Sequence, residues 1–131
     1  MDIQGAVADF ITANVTFTTT TENIFVSTPL LRINRNSAIV MIAAWGILTT
    51  GTATTTVTPR IRRGTAITDT LVSAADTVTV GAAAGSNEQF QMVCFEQLTS
   101  EQVVRYSFTL QQVSATGNGT GLVAGIMAIA V

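Results

Sequence analysis

The sequence predicts a single all-β domain, and three observations carry that expectation. Charged residues make up only 11% of the 131 residues while hydrophobic ones reach 47%. Thr occurs 23 times and Lys not at all, and Thr on an alternating strand supplies a solvated face without charge. The third observation is Ala38–Leu48, eleven consecutive residues without a polar side chain. As a helix this run would span about 16 Å, too short to cross a bilayer, whereas as a strand it reaches about 36 Å. Ile39, Val40, Ile42 and Ile47 are β-branched and Trp45 favours strands, so strand is the expectation.

Alternation divides that strand into Ala38, Val40, Ile42, Ala44, Gly46 and Leu48 on one face and Ile39, Met41, Ala43, Trp45 and Ile47 on the other. Both faces are apolar, so both need cover: one from the protein's own core, the other from a neighbouring subunit or a terminal arm of the same chain.

Taken in order, residues 1–13 carry Ile3, Val7, Phe10 and Ile11 at helical spacing and are expected to form a short N-terminal arm. The arm would order on docking, either on its own domain or on another subunit, with Phe10 and Ile11 as its contacts. The domain proper is expected over 14–131. Within it, 15–21 suits an outer or edge strand, and 23–28 is a strand ended by Pro29. Asn34-Arg35-Asn36 turns the chain into the central strand. A flexible Thr/Gly loop is expected at 49–54. Residues 56–63 alternate, and Pro59 places that strand at an edge or on a bulge.

Short strands at 67–72 and 77–80 and a small-residue loop at 81–88 follow. Residues 89–97 direct Phe90, Met92 and Cys94 to one face and Val93 and Phe95 to the other. A polar connection at 98–102 leads to 104–112, where Val104, Tyr106, Phe108 and Leu110 oppose Arg105, Ser107, Thr109 and Gln111, the pattern of a strand with one wet face. Gly117-Asn118-Gly119 signals a hairpin, and 121–131 is a second two-faced apolar strand that belongs inside a sheet or an interface. Eight or nine antiparallel strands with long excursions suit a jelly roll, two sheets packed face to face. An up-and-down barrel is the alternative and needs shorter turns.

Chemistry is sparse. With no His, no Lys and scattered carboxylates, no nucleophile–base pair or carboxylate dyad is legible, and no enzyme is expected. A lone Cys94 excludes an intrachain disulfide and, without His, the usual zinc site; it reads as a small buried apolar residue. Gly117, Gly119 and Gly121 precede no helix or Lys, and Asp69, Asp76, Glu88 and Glu96 lack calcium-loop spacing, so neither cofactor nor metal is expected. The net charge of −2 argues against a nucleic-acid partner, no recognisable signal peptide opens the chain, and no membrane partner is expected. Two sequons, at Asn14 and Asn118, are chance matches in a Thr-rich chain. Arg60, Arg62 and Arg63 are the candidate contact surface, suited to an acidic partner or to pairing with Asp69 or Asp76 of the same chain.

Two stretches resemble a known group. Pro59-Arg60-Ile61-Arg62-Arg63-Gly64-Thr65, followed by a short strand and a small-residue loop, is similar to a segment of small jelly-roll virion proteins. Tyr106-Ser107-Phe108-Thr109-Leu110-Gln111, a Gly/Asn/Thr turn and the apolar 122–131 are similar to their closing hairpin. The group is the tumour-necrosis-factor-like jelly rolls among tailed-phage capsid decoration (cement) proteins, head fibres and minor tail proteins. The resemblance covers about the last two-thirds of the chain and brings no catalytic motif. It implies a homotrimer on a capsid surface that binds the major capsid protein, with Met41, Trp45, Phe95 and Met127 lining the threefold axis. A receptor-binding knob, a secreted cellular module and a shell- or tube-building subunit are the alternatives.

Overall fold

The computed structural model describes residues 3–12, 15–17, 21–50, 55–74, 77–80, 87–113 and 119–131. These hold twelve β-strands: β1 (Gly5–Ile11), β2 (Val15–Phe17), β3 (Glu22–Ser27), β4 (Leu31–Ile33), β5 (Ala38–Thr50), β6 (Thr55–Arg63), β7 (Thr70–Ala74), β8 (Val78–Val80), β9 (Asn87–Leu98), β10 (Gln102–Val104), β11 (Tyr106–Gln112) and β12 (Gly119–Ala130). One sheet runs β1-β12-β5-β9, with β2 pairing the start of β12; the other runs β3-β11-β6-β7, with β8 also on β6. A short β4-β10 ribbon stands apart. The chain is an all-β jelly-roll sandwich, as the residue pattern predicts. The strand count exceeds the expected eight or nine by β1, whose residues show helical spacing, and by β4 and β10, which have three residues each, too few to register as periodic runs.

The core lies between the sheets. Val40, Ile42, Ala44 and Leu48 of β5 and Ala124, Ile126, Ala128 and Ala130 of β12 are buried against Val57, Ile61, Phe108 and Leu110 of the second sheet. The Phe108 ring stacks on Phe25 at 6.1 Å between centroids and meets Phe90 at 5.7 Å. These aromatics join the two sheets, and each such pair adds about 0.5–1.5 kcal/mol beyond the area it buries.

Several expectations are corrected by this arrangement. The helical spacing in the first 13 residues does not produce a helix: of the two docking modes open to the segment it takes the one on its own domain, as strand β1, paired antiparallel with β12 from Gly5↔Ala130 to Ile11↔Ala124. Ladder bonds to an existing strand outweigh a weak, uncapped helical stripe. β6 is interior despite Pro59, because its neighbour on one side is interrupted. β8 pairs with Thr55–Val57 and β7 begins pairing at Arg60, so Pro59 falls in the gap.

The face of β11 expected to be wet is closed only at its middle: Ser107 and Thr109 are fully buried, while Arg105 is exposed and Gln111 half-buried. The strand expected at 67–72 starts later, because Gly64 (φ +132°) opens a tight turn in which Ala66 N–H donates to Asp69 Oδ2 (2.8 Å) and Asp69 N–H to the Ala66 carbonyl (3.0 Å). The loops expected at 49–54 and 81–88 are shorter than that, because the β5-β9 ladder runs on to Thr49↔Asn87 and takes Thr49, Thr50, Asn87 and Glu88 into strands; residues 51–54 and 81–86, residues 117–118 of the expected turn and Asp76 lie outside the described residues.

Phe108 is the test of this core. Phe108→Ala is expected to lower the unfolding free energy by about 3–5 kcal/mol, measured as a drop in urea midpoint with an unchanged slope.

Candidate functional site

The two sheets present opposite chemistry to the outside. On the β1-β12-β5-β9 sheet the outward positions fall into cross-strand rows fixed by the register. Ala6, Ile129, Met41 and Phe95 form one row; Ala8, Met127, Ala43 and Val93 the next; Phe10, Gly125, Trp45 and Gln91 the third. Met41, Trp45, Phe95 and Met127 therefore share one face, and Phe10 joins them from the edge strand.

Phe10 is 68% exposed, Phe95 65%, Val93 58%, Ile39 49% and Trp45 40%, while Met41, Ile47, Met127 and Ile129 are half-buried. No described residue of this face is charged, and Gln89, Gln91 and Gln97 are its polar rim. From strand spacing and rise it covers roughly 500 Å², more than the few hundred Å² that a soluble monomer ordinarily leaves open.

The Trp45 indole lies across β12 at Gly125, where a β-carbon would collide with the ring. Glycine is required there for the face to be flat. Ile11 does not share the face. Strand alternation turns it inward against the core, so Phe10 and Ile11 do not form one contact pair.

The other sheet is polar and internally paired. Glu22, at the start of β3, is buried among cations: Arg62 Nε donates to Glu22 Oε2 (2.5 Å) and Nη2 to Oε1 (2.8 Å), a bidentate pair, and Thr109 Oγ1 donates to Oε2 (2.7 Å). Arg60 Nη1 donates to Gln111 Oε1 (2.6 Å) and reaches Glu22 Oε1 at 3.4 Å. Arg62 also donates to the Asp69 backbone carbonyl (2.9 Å).

Arg63 lies on the opposite face of β6, its Nε 3.3 Å from Glu96 Oε1, and the Tyr106 hydroxyl donates to Glu96 Oε2 (2.8 Å). The expected patch of Arg60, Arg62 and Arg63 is thus divided between two faces of one strand. Among the described residues its ion-pair partners are Glu22 and Glu96 and not the Asp69 carboxylate, and Asp76 lies outside the described residues. Glu22 shows no sequence signal for this role, because it sits 38 residues from Arg60 and 40 from Arg62 and meets them only through the β3-β11-β6 order.

Burial raises the Glu22 carboxyl, but the hydrogen bonds from Arg62 and Thr109 and the charges of Arg62 and Arg60 together outweigh it, so its pKa lies below the ordinary value. Burial, then the nearby Glu96 charge, pushes the Cys94 thiol up to about 11. Burial and the bond to Glu96 likewise hold Tyr106 in its neutral form. Neither is an activated nucleophile at neutral pH. A cleft of about 250 Å³ beside Arg60 is lined by Thr58, Gln111, Gln112 and Val113. Among the described residues no group of three or more His, Cys, Asp or Glu side chains is placed to hold a metal.

No protein-family model matches the chain, and no curated protein matches it in sequence. Solved structures do share the fold. A chain of infectious bursal disease virus, Gx strain, aligns with a TM-score of 0.54 and 12% identity over 98% of this chain and 32% of that one. The same virus's T=1 particles give a TM-score of 0.54 and 10% identity, over 96% of this chain and 32% of that one. Its VP2 subviral particle gives 0.51 and 11%, over 96% and 33%. This chain spans about a third of the length of those viral chains, and the likeness is one of fold.

The lowered Glu22 pKa fixes a pH dependence. Its ionised form is preferred in the folded state, so its stabilisation is complete above the ordinary value of 4.5 and fades as pH falls through the folded value. Glu22→Gln is expected to cost about 1.5–3 kcal/mol at pH 7, with the difference from wild type shrinking below pH 4.5. Urea denaturation at a series of pH values measures it.

Proposed function

We propose that the protein is a virion structural component, a capsid decoration (cement) protein that forms a homotrimer through the apolar face of the β1-β12-β5-β9 sheet and stabilises the shell by binding major capsid subunits. One observation carries this reading: among the described residues one outer face of the sandwich is uncharged and apolar over four strands, whereas the other holds Glu22 paired with Arg60 and Arg62 within the chain. Each large side chain withdrawn from water contributes roughly 1.5–3 kcal/mol. Turning three such faces toward a common axis buries Met41, Trp45, Phe95 and Met127 with no charge to desolvate.

The fold shared with viral capsid chains supports a place on the virion, and the capsid surface is the specific location proposed. The role is mechanical rather than catalytic. The exposed ends of the sandwich are left for the capsid.

A shell-building subunit is the second reading. It is favoured by the origin of two neighbours in assembled particles, T=1 particles and a subviral particle. It differs in outcome, since it predicts closed particles from the purified chain rather than discrete trimers.

Light scattering on purified protein is expected to give three times the chain mass of 13.7 kDa, and Trp45→Glu to give the monomer mass. Added back to particles that lack it, the trimer is expected to raise their heat resistance. A wild-type monomer that leaves particle stability unchanged would contradict the proposal.

A further inference from the structure

The β9 edge of the apolar sheet lacks the features that protect an edge, while β1 carries Asp9, and the backbone directions of both follow from the register. Ile39 and Val131 exchange two backbone hydrogen bonds, each 3.0 Å. Bonded and non-bonded pairs alternate along an antiparallel ladder, and the β5-β12 register is unbroken from Val40↔Ala130 to Trp45↔Gly125. Odd residues of β5 in this stretch therefore bond to β12 and even ones to β9.

Carried across the sheet, this makes Met92, Cys94 and Glu96 of β9 bond inward to Ala44, Ile42 and Val40, and leaves the N–H and C=O of Gln91, Val93 and Phe95 directed outward. On β1, Gly5, Val7, Asp9 and Ile11 bond inward, and Ala6, Ala8 and Phe10 direct theirs outward. Phe10 N–H agrees, donating to its neighbour Asp9 Oδ1 (2.8 Å) rather than to β12.

Among the described residues no strand pairs with either outward edge. Proteins ordinarily protect such edges with charge, proline or a bulge. In β9, residues 89–95 contain no charge and no proline, and the twelve-pair ladder to β5 shows no register shift. This seven-residue stretch equals the length of β1. Its outward backbone groups belong to residues whose side chains lie on the apolar face, and the same holds for β1.

We infer that the outer edge of β9 in one copy pairs antiparallel with the outer edge of β1 in the next, so that the apolar sheets of the trimer are joined edge to edge by a backbone ladder. This rests on the trimer proposed above and specifies how its copies meet. Strand directions permit it: β1 and β9 run opposite ways within one sheet, so a copy carried around a rotation axis presents its β1 antiparallel to the neighbouring β9. The contact is head to tail and closes into a ring when the rotation is that of a threefold. Continuing the rows places Ala6 of the next copy beside Phe95, Ala8 beside Val93 and Phe10 beside Gln91, small against large at two of the three positions.

Two variants test it. Val93→Pro removes an outward N–H and no inward one, and proline is tolerated at an edge. It is expected to keep the wild-type far-ultraviolet circular dichroism while weakening trimer association at least tenfold. In a Cys94→Ala background, Ala8→Cys together with Val93→Cys is expected to give disulfide-linked trimers on oxidation, with neither single variant cross-linking.

Cross-linking by Val93→Cys alone would show β9 pairing with itself and overturn the inference. So would a failure of the double variant to cross-link. If Val93→Pro does not fold, the cross-linking pair decides. A trimer lost in Trp45→Glu but undiminished in Val93→Pro would leave the apolar seam standing and remove the ladder. A wild-type monomer would remove both.

Discussion

The constraint on which the structure depends is the pairing of two strands that are apolar on both faces, β5 and β12. Their ladder runs from Val40↔Ala130 to Gly119↔Thr50 with one register shift between Gly121 and Val123, and on either side of that shift alternate residues of each face the core. Because the side-chain period of a strand is two, the residues that do not enter the core are placed together on the opposite side. Both strands are interior to the sheet, so that second face sits at its centre rather than at a margin. Gly125 completes it by letting the Trp45 ring lie across β12. The apolar outer face and the core are thus two consequences of one register.

The second sheet solves the opposite problem. Its central strand β11 carries Ser107 and Thr109 on the side away from the core, and both are removed from water without loss of hydrogen bonds. Ser107 bonds the Gly64 carbonyl, and Thr109 bonds Glu22, which in turn holds Arg62 bidentately. A buried carboxylate is tolerable only where cations and donors surround it. Here they come from β6 and β11. The network satisfies the buried charge and hydroxyls of this sheet within the chain, whereas the other sheet leaves Phe10, Trp45, Val93 and Phe95 exposed.

Much of this was legible in the residues. The division of Ala38–Leu48 into two faces, the inward Phe90, Met92 and Cys94 and the interior position of the last strand all follow from alternation, which does not depend on what lies opposite. The failures are equally physical. Whether Ser107 and Thr109 are wet depends on which strands flank β11, and the partner of Arg62 lies 40 residues away on a different strand. Neither is encoded locally. β1 reads as a helix because its apolar residues happen to fall at helical spacing, and only the free side of β12 makes it a strand. Pro59 reads as an edge signal, but the interruption between β7 and β8 accommodates it inside a sheet.

The chain contains a single Trp, and it lies at the middle of the apolar face. Acrylamide quenching of Trp45 fluorescence in the purified protein therefore reports directly on whether that face is covered. A blue-shifted emission that acrylamide barely quenches, turning red-shifted and readily quenched in a Met127→Glu variant that retains its fold, is the predicted result. Ready quenching of the wild-type indole at every protein concentration would contradict a face sealed between copies.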